Sequence, residues 1–289
     1  VFTALMMFGV PVSFSIGIAT LLALFTVTPT PNTALIVSAQ RVASSLDSFT
    51  LVAIPLFILA GGLMNTGGIA MRLIDLAKVL VGWLPGSLAQ ISVVANALFG
   101  AISGSAVASA ASVGATLSPL QRQAGYNMPI CAAANVASSP CGLLIPPSGA
   151  LIVYSLISGG TPVDVLFVAG YIPGILMAGS VMVWLAIIAR RGELPTDVRR
   201  YSMNEAAHIF WRALPALAMI AIIMGGIVGG IFTATEAAGV AALYTLVLGL
   251  LYRSLTLKTL VGSVINASVG TAVVMLMVGV SMTMSWRSE

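Results

Sequence analysis

The sequence predicts an all-α polytopic membrane protein, and three observations carry that prediction. Of the 289 residues, 59% are hydrophobic and only 7% are charged, against about 25% charged in soluble domains. A soluble core this apolar would lack the polar surface to cover it. Uncharged apolar runs repeatedly approach or exceed the roughly 20 residues that cross a bilayer. The Lys and Arg residues gather in a few polar loops, as they do on the cytoplasmic side of membrane proteins. The net charge of +4 therefore belongs to those loops and does not point to nucleic acid.

Taken in order, the chain offers about seven spans. It begins at Val1-Phe2, without methionine and already inside an apolar stretch, so residues are expected to precede it. Phe2 to Val27 is long enough to span, with Gly9 and Pro11 as kinks. Pro29 and Pro31 break it, and Asn32 to Leu46 reads as a helix lying at the interface. Phe49 to Met64 is the second span, ended by Asn65-Thr66-Gly67-Gly68. Ile69 to Val81 places Arg72, Asp75 and Lys78 on one face and Ile69, Leu73, Leu76 and Leu80 on another, which fits an amphipathic interfacial helix.

Leu88 to Gln121 is an uncharged run of 34 residues. Two spans and a turn need about 40 or more, and one span would leave many apolar residues over. Ser103-Gly104-Ser105 divides the run nearly evenly, so a re-entrant helical hairpin fits best. Pro129 to Ile157 is a span broken between Pro140 and Gly149, and Leu166 to Ala189 is the next. Arg190, Arg191, Arg199, Arg200 and Arg212 then mark a cytoplasmic loop. Counting back two spans puts Arg122 on the same side, with Arg72 and Lys78. Both ends of the 82–121 stretch are then cytoplasmic, as a hairpin requires. Leu214 to Ile231, Ala237 to Tyr252 and Thr259 to Trp286 complete the spans, with Arg253 and Lys258 again inside. Arg41, placed outside with Asp47 nearby, is the exception.

Three helix starts carry capping patterns: Thr161-Pro162-Val163-Asp164, Ser202 with Glu205, and Thr233 with Glu236. Their acids are best explained as helix starts. Glu236, beside spans and without a basic neighbour, is the one to watch. Cys131 and Cys141 are read as buried thiols. Trp83, Trp184, Trp211 and Trp286 lie near span ends, as interface anchors do. The methionines at 275, 277, 282 and 284 suit packing or lipid contact.

Enzyme templates fail. His208, the single histidine, lies in the basic loop. An intramembrane hydrolase could nominate Ser103 or Ser105, but no His or Lys lies in an apolar stretch to partner them. No cofactor is expected. What the 100–149 stretch supplies is backbone carbonyls without helical partners, serine hydroxyls and half-helix ends. Bilayer hydrocarbon cannot satisfy such groups, so they must be buried or line a cavity. Broken helices of this kind build substrate and ion sites in transporters: carbonyls suit a sodium ion and half-helix N-termini suit a carboxylate. Ala106 to Ala115 reads instead as close helix packing.

At these residues the chain resembles the large membrane subunit (permease, M subunit) of tripartite ATP-independent periplasmic (TRAP) transporters. The resemblance is carried by DSFTLVAIPLFILAG at 47–61, SGSAVA at 103–108, IPPS at 145–148, LFVAGYIPG at 166–174 and FTATEA at 232–237. It runs over essentially the whole chain in the right order. It implies a sodium-coupled importer of organic acids in the bacterial inner membrane. Such an importer works with a soluble periplasmic substrate-binding protein and a small membrane subunit, and its transport domain moves like an elevator against a scaffold. The substrate classes implied are four-carbon dicarboxylates, sialic acids, keto-acids and compatible solutes.

By resemblance, residues 1–81 are scaffold helices and an interfacial helix. Residues 82–165 are the transport-domain hairpin and broken helix. Residues 166–289 are further scaffold helices and the start of a second, incomplete inverted repeat. One sodium site would use oxygens, mostly backbone, at Gly100, Ser103, Gly142, Ile145 and Pro147, with Ser105, Ser138, Ser139 and Ser148 toward the substrate. Two departures stand out: Ala234 replaces a proline common in the family, and no second hairpin and broken helix follows. The chain alone is therefore expected not to transport. The alternatives are another hairpin-built sodium-coupled anion carrier, an intramembrane hydrolase, or a non-transporting membrane scaffold.

Overall fold

The computed structural model describes residues 1–66, 69–158, 160–196 and 201–285. Among them every regular element is helical. Arg199, Arg200, Gly67, Gly68 and Trp286, named above as loop charges, a helix stop and an interface anchor, lie outside the described residues.

The first expected span is two helices, not one kinked helix. Helix α1 (Phe2–Met7) and helix α2 (Val12–Val27) are separated by a turn. Gly9 takes the left-handed conformation with φ of 78°, and Pro11, without an N–H, sits at the N-cap of α2. Together they end the helical hydrogen-bond ladder completely. Val1 and Phe2 line the same cavity as Ala19, Thr20, Ala23 and Leu24, so α1 folds back beside α2.

Helix α3 (Pro31–Leu46) starts on a Thr30 cap, whose Oγ1 accepts the Thr33 N–H at 3.3 Å. A 3-10 turn at Phe49–Val52 leads into helix α4 (Ala53–Thr66). The two helices meet at 64°, which fits an interfacial α3 followed by a crossing α4. Helix α5 (Ile69–Val81) is amphipathic, but its buried stripe is Leu73, Ile74, Leu76, Ala77 and Val81, while Leu80 is exposed. The apolar face expected from Leu80 is thus rotated: Ile74 and Ala77 face the protein. On the other face Lys78 bonds Asp75 at 2.8 Å, and the Arg72 guanidinium lies 3.7 Å from the Tyr252 ring centroid.

The hairpin is formed by helix α6 (Ser87–Ser103) and helix α7 (Ala106–Gln123). The broken span follows as helix α8 (Met128–Ser138), helix α9 (Cys141–Leu144) and helix α10 (Gly149–Ile157), with a bend of 57° across the break. Four long apolar helices complete the chain: α11 (Val163–Arg190), α12 (Met203–Val228), α13 (Ala234–Leu251) and α14 (Leu257–Ser285). These four are long and apolar enough to cross a membrane, and counting each bent pair as one span gives six. Helices α2 and α6 are apolar but shorter, so the described residues offer four to six candidate spans beside them, against the seven expected. Ser202–Glu205 and Thr233–Glu236 both form capping boxes. The expected Thr161 cap does not form. Pro162 occupies the N-cap position without a side-chain bond, and Thr161 Oγ1 instead accepts from Ser158 Oγ at 2.9 Å.

Helix α4 is central. Helices α13 and α14 pack along it, α14 also meets α2 and α3, and α12 packs on α5 and α13. On its other side α4 meets the hairpin helix α6. Helix α11 packs on α6, α8, α9 and α10. A separate apolar cluster of Ala89, Val93, Tyr126, Cys131, Ala134, Leu185, Ala189 and Leu194 joins α6, α8 and α11 near the open end of the hairpin.

Candidate functional site

The two breaks come together in space, and glycines make this possible. A Cβ on Gly100 would lie 2.6 Å from Gly142 Cα, and one on Gly142 would lie 2.6 Å from the Asn96 carbonyl oxygen. Helices α6 and α9 therefore cross backbone to backbone. Gly174 of α11 also approaches α9, where a Cβ would sit 2.6 Å from Ile145 Cγ1 and 3.4 Å from the Cys141 carbonyl oxygen. Gly170 is pressed against the Leu144 carbonyl in the same way. The short α9 thus meets two helices that carry no side chain at the points of contact.

Local chemistry then fixes which polar groups are left over. Pro146 and Pro147 have no N–H, so the carbonyls of Gly142 and Leu143 have no donor four residues on. The chain leaves α9 at Ile145 with φ −76° and ψ 120°, an extended conformation. In the hairpin, the Gly104 N–H donates to Gly100 O at 2.8 Å, and Gly104 then turns left-handed at φ 60°. The carbonyls of Ala101, Ile102 and Ser103 receive no backbone donor across the break among the described residues. Ser103 Oγ lies 3.4 Å from both the N and the O of Ser105, and Ser105 Oγ caps α7 by accepting the Ala108 N–H at 3.3 Å.

The N-termini of α7 and α10 also converge. A Cβ on Gly104 would stand 3.5 Å from Gly149 N. Ser148, the N-cap of α10, is fully buried, and its hydroxyl makes no hydrogen bond. Two sets of free N–H groups thus lie close together, with a buried donor beside them. Such an arrangement favours a carboxylate.

A buried polar network locks the hairpin to α8. Asn96 Nδ2 donates to Asn135 O at 3.0 Å, to Asn135 Oδ1 at 2.9 Å and to Ser138 Oγ at 2.8 Å. Ser109 Oγ of α7 donates to Asn96 Oδ1 at 2.7 Å, and Asn135 Nδ2 donates to Ala110 O at 2.8 Å. Asn96, Ser109 and Ser138 have no exposed surface. Of these, sequence reasoning singled out only Ser138; Asn96, Ser109 and Asn135 are additional. The one signal for them was an amide standing alone in uncharged apolar sequence, which must find a partner.

Of the residues named from the sequence, Gly100 and Gly142 are in backbone contact, and Ser103 and Ser105 form the hairpin tip. Ile145, Pro147 and Ser148 follow α9 directly. Ser138 is committed to the asparagine network, and Ser139 Oγ bonds its own helix at Val136 O, 3.0 Å away. Among the described residues, no group of three His, Cys, Asp or Glu is placed to hold a metal ion. A cation at this site would be held by neutral oxygens. No His or Lys occurs between Ser87 and Ile157 to act as a base for these serines.

The family described as "Tripartite ATP-independent periplasmic transporter, DctM component" matches residues 1–288. The uncharacterized protein YgiK of Salmonella typhimurium is 50% identical over 285 residues, covering 99% of this chain and 65% of that protein. The sialic acid TRAP transporter permease protein SiaT of Haemophilus influenzae is 40% identical, covering 96% of this chain and 44% of its own length. The 2,3-diketo-L-gulonate TRAP transporter large permease protein YiaN of Escherichia coli is 39% identical, covering 86% and 59%. The chain therefore spans about half to two thirds of the length of these relatives.

Proposed function

The chain belongs to the DctM family of tripartite ATP-independent periplasmic transporters, and on that premise we propose that it handles cation and substrate in a sodium-coupled organic-acid importer. It is a multi-pass protein of the bacterial inner membrane. The observation that carries the proposal is the meeting of two broken helices at Gly100 and Gly142, beside carbonyls that have no helical donor. Sodium is the fitting ion because backbone carbonyls are hard, neutral oxygens whose number and direction the fold can set. Oxygens at Gly100, Ser103, Gly142, Ile145 and Pro147 hold it. The Gly100 carbonyl, already accepting from Gly104, contributes its second lone pair.

The substrate carboxylate sits at the paired N-termini of α7 and α10. Ser148 and Ser105 face it, and Ser138 and Ser139 shape the wall behind. Relatives named for sialic acid, 2,3-diketo-L-gulonate and C4-dicarboxylates support an organic acid as the transported class. A soluble periplasmic binding protein delivers that acid, and a small membrane subunit completes the complex. Residues 82–165 form the moving part against the scaffold helices around α4.

The test is uptake of a labelled organic acid by proteoliposomes that hold the assembled permease, its small subunit and its binding protein. Uptake is expected to require a sodium gradient and to vanish in Gly142→Val. Equal uptake when choline replaces sodium removes the sodium reading. Uptake that needs no binding protein favours a self-sufficient anion carrier instead.

A further inference from the structure

The two breaks are also bounded by α4. Gly61 lies against the hairpin tip: a Cβ there would sit 2.5 Å from Ser103 Cα and 2.9 Å from the Ser103 carbonyl oxygen. One turn further along α4, Asn65 Oδ1 accepts a hydrogen bond from Ser112 Oγ at 3.0 Å. Helix α4 therefore meets both limbs of the hairpin, the end of α6 through a missing side chain and α7 through a hydrogen bond. The adjacent Gly62 is different in kind. A Cβ there would meet only Ser263 Cβ, at an ordinary 3.8 Å.

We propose that α4 sets the position of the Ser103 carbonyl, with Gly61 fixing how closely the hairpin tip seats and Asn65 fixing the register of α7. The inference rests on the reading of Ser103 as a cation ligand. The physical reason is that, among the described residues, the Ser103 carbonyl has no backbone donor across the break, so packing, not a backbone hydrogen bond, directs it. The bare backbone of Gly61 packs against it. A methyl at position 61 must push Ser103 away or move α4, and the Asn65–Ser112 bond resists the second. Gly61 and Asn65 are positioning residues that touch no ion.

Gly62 supplies the matched control. Replacing either glycine with alanine brings the same gain in helix propensity, roughly 1 kcal/mol, so only the contact with Ser103 distinguishes them. The experiment is amide hydrogen exchange on the purified chain across a series of sodium chloride concentrations, with choline chloride keeping ionic strength constant. The unaltered chain and G62A are expected to show sodium-dependent protection over residues 101–108 with the same midpoint. In G61A the midpoint should rise about tenfold or more, because a displacement of this size misplaces the ligand. Asn65→Ala and Ser112→Ala should each raise it by roughly two- to fivefold, the loss of one hydrogen bond.

Equal midpoints in G61A and G62A overturn the inference. If G61A does not fold, Asn65→Ala decides, and an unchanged midpoint there overturns it. If even the unaltered chain shows no sodium-dependent protection, the sodium site is what has failed. Exchange without sodium then decides the role of α4: faster exchange over 101–108 in G61A than in G62A sustains it, and equal rates overturn it.

Discussion

Glycines and hydroxyls are common both in the hairpin–broken-helix region and in the α4–α13–α14 bundle, but the two regions use them differently. In the bundle, several hydroxyls inside α13 and α14 bond their own helix, although Thr235 Oγ1 donates across to Phe49 O at 3.3 Å. Thr245 donates to Ala241 O at 2.9 Å, Ser268 to Val264 O at 2.9 Å, Thr271 to Ala267 O at 2.7 Å and Thr283 to Gly279 O at 3.0 Å. Apart from Gly61, which lies against the hairpin tip, its glycines face side chains or open space: a Cβ on Gly270 would be 3.7 Å from Ile58 Cγ2, and on Gly239 and Gly262 it would meet nothing within 4 Å. In the hairpin region, Asn96, Ser109 and Asn135 bond across elements, and Gly100 and Gly142 meet backbone. Local satisfaction leaves a helix free to take any packing angle in lipid. Satisfaction across elements ties one helix to a single position on its neighbour, as a site built from carbonyls requires.

The sharpest way to break this contrast is to fill the glycines. Gly100→Ala should lower stability by about 3 kcal/mol or more, since overpacking against backbone cannot be relieved by a rotamer change. Gly262→Ala should raise it by up to roughly 1 kcal/mol through helix propensity. Thermal unfolding in detergent compares them directly, and a Gly100→Ala chain that melts with Gly262→Ala would show that the crossing of α6 and α9 is looser than described. The next effect is on the polar network. Asn96→Leu leaves Ser109 and Asn135 with lost partners inside the protein and should cost about 2–3 kcal/mol. Thr245→Val, which removes a bond inside one helix, should cost less than about 1 kcal/mol. Denaturant titrations of both variants measure that difference.

Smaller effects lie where the regions end or join. Thr233→Ala removes the cap and one of the two donors to Glu236 Oε2, the Thr233 hydroxyl at 2.8 Å, while the backbone N–H at 2.8 Å stays, and should cost about 1 kcal/mol. Restoration of the melting temperature by Thr233→Ser checks that the hydroxyl is the cause. The smallest change expected is at the Arg72–Tyr252 stack, which links α5, packed on the hairpin, to the end of α13. Tyr252→Leu should cost about 0.5–1 kcal/mol and Tyr252→Phe almost nothing. Equal losses in the two would assign the contact to the tyrosine hydroxyl and not to its ring.

Much of the architecture was legible because its causes are local. Pro146-Pro147 and Ser103-Gly104-Ser105 announce breaks through a missing N–H and a left-handed turn, and the structure puts breaks at both. The capping boxes at Ser202 and Thr233 are chemistry within four residues, and both form. Length and charge parity sufficed to fold 82–121 into a hairpin. Local signals also misled where two outcomes share them. Gly9 and Pro11 were compatible with a kink, and the structure turns the chain fully between α1 and α2. The α5 pattern allowed Leu80 as a buried position, and contact with α6 and α12 selected Ile74 and Ala77.

The sequence by itself determined that the chain is helical, lives in a membrane and is interrupted twice near its middle. Apolar length, the absence of charge and the backbone limits of Gly and Pro act within a turn or two of helix. Only the tertiary structure decided that Gly100 meets Gly142, that Asn96 closes a network with Ser109 and Asn135, and that Gly61 lies against Ser103. Each of these joins elements far apart in sequence, and the crossing point of two helices depends on every side chain between them. The candidate site is therefore written along the chain as two unfinished helices, and it is completed only when packing brings their free ends together.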